Sequence, residues 1–260
     1  MSLGDVAVLW RREVAKFVRP PARTLILLLT PLMWLLVFGI GLQRGLGAKV
    51  NGLDYVHFIL PGLIGMNLLT SSARGGNSIL RDKEWGFLKE VLVAPVPRSH
   101  ILLGIGLGVV SRSAVQAALL MLAGAAIGVN YGATVAAAAQ AIALTFGFLF
   151  LLGLGLVGLT IGLAWRLDDL QSYSAASNAV VFPLTLLSGA LFPVQNLPWW
   201  LDAPIHANPI TYGVDALRQA MLGADAVRPH FDLLLDVGVL LAFLAATLTF
   251  AGLSMRRHAA

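Results

Sequence analysis

Cysteine is absent from this chain of 260 residues, which excludes disulfide bonds, thiolate-bound metals and cysteine nucleophiles. Lysine is scarce as well, since the only four are Lys16, Lys49, Lys83 and Lys89. None of them follows a glycine, whereas a phosphate-binding P-loop requires a Gly-Lys pair. We therefore predict that the chain carries no cofactor of its own and does not hydrolyse ATP alone.

Enzyme and ion-carrier signatures are missing too. The sequence has neither a G-x-S-x-G elbow nor an H-E-x-x-H pair, and its five histidines fall in loops or near the ends of apolar runs. Aspartate and glutamate are absent from the middle of those runs, where a proton- or sodium-driven carrier usually needs one. An ion-coupled secondary transporter and an intramembrane enzyme stay as alternative functions.

Charge is rare in this chain and apolar residues are abundant. Charged residues make up 12% and apolar residues 58%, and the mean hydropathy is +0.81. With apolar runs of about 20 residues, this composition predicts an all-α polytopic membrane protein with one membrane domain over residues 1–260. The first run is too long for a signal peptide. Six spans are predicted, near 24–42, 57–79, 101–129, 134–164, 171–192 and 233–253.

Lysine and arginine are distributed unequally between the two sides that these spans define. Twelve lie on the side of both termini and four on the other, while Arg74 and Arg112 lie within spans, toward the side with twelve. The positive-inside rule therefore predicts that both termini are cytoplasmic. Topology explains the net charge of +5, so we expect no nucleic-acid partner. The four basic residues on the side opposite the termini are Arg44, Lys49, Arg218 and Arg228.

An amphipathic helix is predicted before the first span, over residues 3–19. Its apolar residues recur at helical spacing on one face, with Arg12 and Lys16 on the opposite face, and Pro20 and Pro21 end it. Such a helix lies in the membrane interface, either as a passive anchor or as a moving gate. The candidate gate residues are Trp10, Arg11, Arg12, Lys16 and Phe17.

The stretch LRDKEWGFLKEVLVAPVPRSH, residues 80–100, holds seven charged residues between two long apolar runs. Residues 82–93 have a broad apolar face, which predicts a short cytoplasmic helix ended by Pro95 and Pro97. The stretch is either a solvated connector or a docking element. A carboxylate at Glu84 beside Trp85, and a bare backbone at Gly86 inside the helix, favour docking against another protein.

Two further groups of residues have open interpretations. Arg74 and Arg112 either extend to the interface or contact a substrate head group. The external segment after span five contains Pro193, Pro198, Pro204 and Pro209 with Trp199 and Trp200, which predicts short helices that break at prolines and an aromatic lid. Packing roles are predicted for Asn67, Gln116, Gln140 and Asn178 as interhelical hydrogen-bond partners, and for the pairs Gly104 and Gly108, Gly124 and Gly128, and Gly158 and Gly162.

Two long segments resemble ABC-2 type permeases, especially the branch of daunorubicin-resistance and nodulation lipo-oligosaccharide exporters. ILRDKEWGFLKEVLVAPVPRSHILLGIGLG looks like that family's first cytoplasmic loop, and YVHFILPGLI fits its entry into span two. Residues 182–222, FPLTLLSGALFPVQNLPWWLDAPIHANPITYGVDALRQAML, resemble its span five and external segment, with SGxxFP, LPxW, NPxTY and DALR elements. Their order and spacing carry the resemblance.

The resemblance implies a half-transporter in a bacterial or archaeal cell membrane, in contact with lipid. A second permease subunit, in a homodimer or a close heterodimer, and two ABC ATPase subunits, which bind ATP and Mg, would complete an exporter of amphipathic, lipid-like, drug-like or glycan substrates. It implies that the loop after span two is a coupling helix and the N-terminal helix a gate. Candidate coupling residues are Glu84, Trp85, Gly86, Phe87, Leu88, Glu90 and Arg98; substrate-path residues are Trp34, Phe38, Met66, Asn67, Asn178 and Phe182; external-lid residues are Trp199, Trp200 and Tyr212.

Overall fold

The chain folds into a bundle of helices. A computed structural model describes residues 3–19, 21–47, 49–50, 52–86, 97–195, 197–223 and 229–257. A π-helical turn, Leu35–Ile40, joins α2 (Pro21–Trp34) to α3 (Gly41–Leu46) in one rod. A small antiparallel hairpin of β1 (Lys49–Val50) and β2 (Leu53–Asp54) precedes α4 (Tyr55–Glu84). The helices are α1 (Leu3–Val18), α2 (Pro21–Trp34), α3 (Gly41–Leu46), α4 (Tyr55–Glu84), α5 (Arg98–Ile127), α6 (Val135–Arg166), α7 (Leu170–Leu186), α8 (Trp199–Ala207), α9 (Pro209–Leu222) and α10 (Leu233–Arg257).

Five described helices are long and apolar enough to cross a membrane: Thr24–Gly45, Tyr55–Glu84, Ser99–Ile127, Val135–Arg166 and Leu233–Met255. They match predicted spans one to four and six, so the prediction of an all-α polytopic membrane protein is confirmed. Predicted span five corresponds to α7, which has 17 residues. The predicted end of that helix at Phe192 is wrong, because α7 ends at Leu186 and the chain then turns through Gly189, whose φ is +65°.

Polar side chains fix where several helices begin. The Thr134 hydroxyl accepts a hydrogen bond from the Ala137 amide at 3.2 Å and so caps α6. Asp169 caps α7 by accepting from the Ser172 amide at 2.7 Å, and hydrogen bonds from Ser172 lower the pKa of the Asp169 carboxyl. These side chains satisfy amides that the first helical turn leaves unpaired.

Helix α4 lies at the centre of the bundle and contacts α5, α6, α7 and α9. Its residues Ile59, Leu60 and Leu68 are fully buried in the main apolar core. The burial of its first half on several sides explains why that half is almost entirely apolar, whereas Ser71, Arg74, Ser78 and Arg81 form a polar stripe along its second half. Any movement of α4 therefore involves most of the bundle.

Small residues permit close helix packing, as predicted for two of the glycine pairs. Gly158 and Gly162 of α6 lie against the backbone of α10 at Thr247 and Ala251, and Gly104 and Gly108 of α5 lie against α1. The third pair differs. Gly124 contacts the Leu60 and Tyr131 side chains, whereas Gly128 ends α5 with a φ of +110°, so it acts as a helix terminator.

The segment after α7 folds back into the bundle. As predicted, it forms short helices, with α8 following Pro198 and α9 beginning at Pro209, but Pro204 lies inside α8 and does not break it. Helix α9 is buried from Ile210 to Met221 and packs against α4, α6 and α10. The segment is therefore part of the core and not only a surface connection.

Gly62 is the contact point between α4 and the turn after α7, and we expect Gly62→Ala to destabilise the protein by about 1 to 3 kcal/mol. A Cβ at this position would lie 2.8 Å from the Ala190 Cα and closer still to its carbonyl, so the backbone would have to move. Gly238→Ala in α10 is the matched control, because a Cβ there meets nothing within 4 Å. Thermal unfolding in mild detergent would measure both, and equal midpoints would contradict the contact.

Candidate functional site

The N-terminal helix α1 packs along the first half of α5. Gly104 of α5 leaves room for Leu9, and Gly108 leaves room for Glu13. The Trp10 indole Nε1 donates a hydrogen bond to the Ser111 hydroxyl at 3.0 Å. The helix predicted over residues 3–19 is present as Leu3–Val18, and the glycines of α5 bring it into direct contact with the bundle.

Charged side chains on α1 also bind the end of α4. Asp82 is only 6% exposed, and its carboxylate lies 2.6 Å from an Arg12 Nη2 and 3.3 Å from the Lys16 Nζ. The Lys16 ammonium also contacts Glu13 Oε1 at 2.7 Å and donates to the Ser78 hydroxyl at 2.8 Å. We call Arg12, Glu13, Lys16, Ser78 and Asp82 the Asp82 cluster. Charge-assisted contacts to a buried carboxylate are among the strong hydrogen bonds in proteins, so this cluster ties α1 to α4.

The next two residues of α4 bind the turn between α6 and α7. The Lys83 Nζ lies 2.8 Å from the Asp168 carboxylate and donates to the Leu167 carbonyl at 3.1 Å. The Glu84 Oε1 accepts a hydrogen bond from the Leu170 amide at 3.1 Å, at the start of α7. Three consecutive side chains at the end of α4 thus hold two different parts of the molecule.

The end of α4 occupies the predicted start of the coupling helix. Its predicted start at Asp82 is wrong, because α4 continues through Glu84 and ends at Trp85. Gly86 has a φ of +78° and terminates α4, so its predicted place inside a helix is also wrong. The Trp85 side chain is 78% exposed. The candidate residues Phe87, Leu88 and Glu90 lie outside the described residues, and Arg98 is the first residue of α5.

The candidate gate residues occupy different environments on α1. Arg11 is exposed and Trp10 is partly exposed, whereas Arg12 and Lys16 bind Asp82. The Phe17 carbonyl accepts a hydrogen bond from the Thr24 hydroxyl, across the turn into α2. The charged face of α1 is therefore in contact with protein, and only part of it faces outward.

A cavity of about 220 Å³ lies where α1, α2, α4 and α5 meet. Its polar lining includes Ser71 and Gln116, whose side chains are hydrogen-bonded to each other at 3.2 Å. The Gln116 amide also donates to the Leu27 carbonyl at 3.0 Å, which confirms the predicted interhelical role of Gln116. The charged lining of the cavity consists of Lys16, Arg74, Arg81 and Arg112 with Glu13 and Asp82, and we call it the arginine cavity.

The candidate path residues do not form one surface within a single chain. The Trp34 and Phe38 rings stack with centroids 4.8 Å apart, next to the π-helical turn, and both are partly exposed. Phe182 of α7 is 69% exposed and Asn178 is exposed as well. Met66 and Asn67 are half-buried, and Met66 packs against the main core.

The candidate lid residues also divide into two groups. Trp199 and Trp200 are 83% and 60% exposed at the start of α8. Tyr212 is buried, donates a hydrogen bond to the His206 carbonyl at 2.9 Å and stacks on Phe231 with ring centroids 4.3 Å apart. Tyr212 therefore connects α8 to the residues before α10.

Sequence reasoning missed a buried polar network that holds α9 in place. The Arg218 guanidinium lies 3.9 Å from the Asp215 carboxylate, donates to the Gly189 carbonyl at 3.1 Å and covers the Phe58 ring at 4.2 Å. The Gln219 amide donates to both Asp215 and buried Asp236, at 3.2 and 2.9 Å. The span layout assigns Arg218 to the external side, but no feature of the local sequence indicates that it is buried. Within the described parts of the chain, no group of three or more His, Asp or Glu side chains is placed to hold a metal ion.

Comparison with known proteins finds one family profile and several related membrane permeases. The ABC-2 type transporter family profile matches residues 5–222. An inner membrane transport permease, YadH of Escherichia coli strain K12, is 30% identical over 241 residues, covering 92% of this chain and 89% of that protein. The putative transport permease ycf38 of Cyanophora paradoxa is 29% identical over 83% of this chain and 73% of its own length. Nodulation protein J of Neorhizobium galegae is 26% identical over 93% of this chain and 88% of its own length.

Proposed function

The chain belongs to the ABC-2 type transporter family, and from this premise we propose that it is the membrane-spanning subunit of an ATP-driven exporter. A separate ABC ATPase hydrolyses ATP with Mg, since no lysine of this chain follows a glycine as a P-loop requires. The chain acts as a permease and not as an enzyme. Its relatives named as transport permeases support this assignment.

The proposed topology has six spans in one membrane domain. The rod from α2 to α3 forms span one, α4 to α6 form spans two to four, α7 with the turn after it forms span five, and α10 forms span six. Because α7 has only 17 residues, the folded-back α8 and α9 complete the bundle on that side. The distribution of lysine and arginine supports cytoplasmic termini, which places the Asp82 cluster at the cytoplasmic surface.

One observation carries the mechanism that we propose: the end of α4 binds both α1 and the α6–α7 turn immediately before the coupling segment. Asp82 holds α1, while Lys83 and Glu84 hold the turn. An ATPase that binds the segment from Trp85 to Arg98 and moves on nucleotide hydrolysis would pull on this helix end. The motion would change how α1 lies against the bundle, so α1 serves as the gate.

The assembly that we propose contains two copies of this chain and two ATPase subunits. Exposed aromatic and polar residues on the first and fifth spans, including Trp34, Phe38, Asn178 and Phe182, face the second copy and line the path. The cargo has a large apolar part, because the candidate path residues carry no charge. The resemblance to nodulation lipo-oligosaccharide exporters favours cargo of the lipid-linked glycan class, and a nodulation protein is among the relatives.

Copurification with a coexpressed ATPase tests the proposed assembly. We expect the chain to elute from size-exclusion chromatography in mild detergent together with the ATPase, at a mass that corresponds to two of each subunit. Vesicles that contain the chain alone should show neither ATP hydrolysis nor export. A monomer that transports without any nucleotide-binding protein would contradict the proposal.

A further inference from the structure

A proline interrupts the backbone hydrogen bonding of span one. In an α-helix, each carbonyl accepts a hydrogen bond from the amide four residues later. Pro31 lies four residues after Leu27 inside α2, and proline has no amide hydrogen, so the Leu27 carbonyl lacks its helical donor. Leu27 belongs to the candidate span Thr24–Gly45, and the hydrocarbon of a bilayer offers no water to replace that donor. The Leu27 carbonyl therefore needs a donor from another helix.

Gln116 of α5 supplies this donor. Its Nε2 donates to the Leu27 carbonyl at 3.0 Å, and its side chain is buried. At the other end of the same amide, Oε1 accepts a hydrogen bond from the Ser71 hydroxyl of α4 at 3.2 Å. A carbonyl can only accept, so the contact with Leu27 fixes which end of the Gln116 amide points to α2. One glutamine thus joins α2, α4 and α5.

These hydrogen bonds belong to a series that runs in one direction. The Arg74 Nη2 donates to the Ser71 hydroxyl at 3.0 Å, Ser71 donates to Gln116, and Gln116 donates to Leu27. Each middle position requires a side chain that both donates and accepts, and hydrogen bonds in such a series strengthen one another. Because α4 is the central helix of the bundle, the series attaches span one to the centre of the molecule.

Span one presents much of its apolar surface outward before the proline. Leu25, Ile26 and Leu29 of α2 are exposed, so the hydrogen bond from Gln116 has a large share in fixing α2 against α5. Beyond the proline, Trp34 and Phe38 follow after three and seven residues. The break at Pro31 therefore separates the part of the span that Gln116 holds from the part that carries the two stacked rings.

We propose that Gln116 is a positioning residue for transport, which transmits movement of α4 to span one at the proline break. This proposal rests on the proposed function for the origin of the movement, at the ATPase-binding end of α4. Because Ser71 lies on α4, a shift of that helix displaces Gln116 and, through it, the Leu27 carbonyl. The part of the span beyond Pro31 then changes its direction, and the Trp34 and Phe38 rings move with it.

Two substitutions separate this positioning role from a purely structural one. Gln116→Leu leaves the Leu27 carbonyl and the Ser71 hydroxyl without this partner, so we expect the unfolding midpoint of the purified chain to fall by about 3 °C. Pro31→Ala restores an amide donor for Leu27 within α2, so the Pro31→Ala/Gln116→Leu double variant should unfold near the wild-type temperature. Its α2 still lacks the hydrogen-bonded link to α4, so span one should not follow the movement of that helix.

Spin labels measure the position of span one. The chain contains no cysteine, so two introduced cysteines are its only labelling sites. We choose Val37→Cys, beyond the proline, and Leu122→Cys on α5, because both side chains are exposed. The labelled chain is diluted with unlabelled chain, so that distances are measured within one subunit. Wild type should give a narrow distance distribution, and Gln116→Leu should broaden it.

The transmission of movement is measured in the complex with the coexpressed ATPase. Addition of ATP and vanadate should shift the distance between the two labels in wild type. Gln116→Leu and the double variant should lose most of this shift. Pro31→Ala alone should keep it, because the Leu27 carbonyl has two lone pairs and can accept from Gln116 as well as from the new amide.

Gln140→Leu is the matched control, because Gln140 is exposed on α6, and this variant should unfold and shift like wild type. A wild-type shift in the double variant would show that Gln116 only satisfies a carbonyl. That result, or an unchanged distance distribution in Gln116→Leu, would overturn the proposal. Failure of the chain to bind the ATPase would defeat the proposed function and is recognised separately, because the unfolding midpoints and the distance distributions are measured on the chain alone.

Discussion

Replacing Asp82 with alanine is expected to abolish ATP-driven transport and to release α1 from the bundle. The Asp82 carboxylate is nearly buried and accepts contacts from both Arg12 and Lys16. Its removal leaves two cations without their shared partner, and we expect a loss of about 3 kcal/mol in the stability of the α1 contact. Trypsin cleavage after Arg11 and Lys16 should become faster, because both bonds lie on the released helix.

Asp168→Ala provides the matched control for Asp82→Ala. Asp168 also pairs with a lysine of the bundle, Lys83, at 2.8 Å, but its side chain is almost fully exposed. Exposed ion pairs contribute about 1 kcal/mol or less, so this variant should change cleavage of α1 little. Normal transport by Asp82→Ala, with wild-type resistance of α1 to trypsin, would refute the role assigned to the Asp82 cluster.

Trp85→Ala should have little effect on the isolated chain and a large effect on the assembly. The indole is mostly exposed, so its truncation removes few contacts within the chain. If it anchors the ATPase, the loss should be about 2 kcal/mol or more, which is roughly a 30-fold weaker association. The yield of copurified ATPase and cargo-stimulated ATP hydrolysis would measure this. Trp199→Ala removes an equally exposed indole at α8 and should copurify the ATPase like wild type.

Substitutions on either side of Trp85 distinguish the loss of a side-chain contact from a change in the backbone direction. Glu84→Lys places a cation where a carboxylate now accepts from the Leu170 amide, so it should loosen the start of α7 as well as block transport. Gly86→Val forces a β-branched residue into a φ of +78° and should misdirect the chain toward the coupling segment. Wild-type association and hydrolysis in all three loop variants would show that this stretch is only a connector.

The long helices could be predicted from the sequence because a lipid-facing backbone must satisfy its own hydrogen bonds. Apolar length alone therefore located Tyr55–Glu84 and Val135–Arg166 to within a few residues. The end of α7 could not be located in the same way. Residues 187–192 are as apolar as the helix before them, and the turn at Gly189 is stabilised by Arg218, 29 residues further along the chain.

The end of α4 and the contacts of its last residues were also beyond what the local sequence could predict. Gly86 is a residue type that often ends a helix. The charged residues before it nevertheless favour the start of a new helix over the end of α4. The spacing of Glu13 and Lys16 was a local signal for one contact of the Asp82 cluster. Arg12 and Asp82 are 70 residues apart, so nothing in the local sequence could pair them.

The π-helical turn at Leu35–Ile40 introduces an extra residue into span one. A π turn contains one residue more than an α turn, so the parts of the rod on either side are offset by about 100° relative to a continuous α-helix. Moving the extra residue along the rod would rotate the residues that it passes by about 100° and shift them by about 1.5 Å, while the two ends of the rod keep their relative orientation. Such a step would carry the stacked Trp34 and Phe38 rings to a new side of the span. If span one lines the transport path, a local rotation of this kind would change the lining without tilting the whole helix.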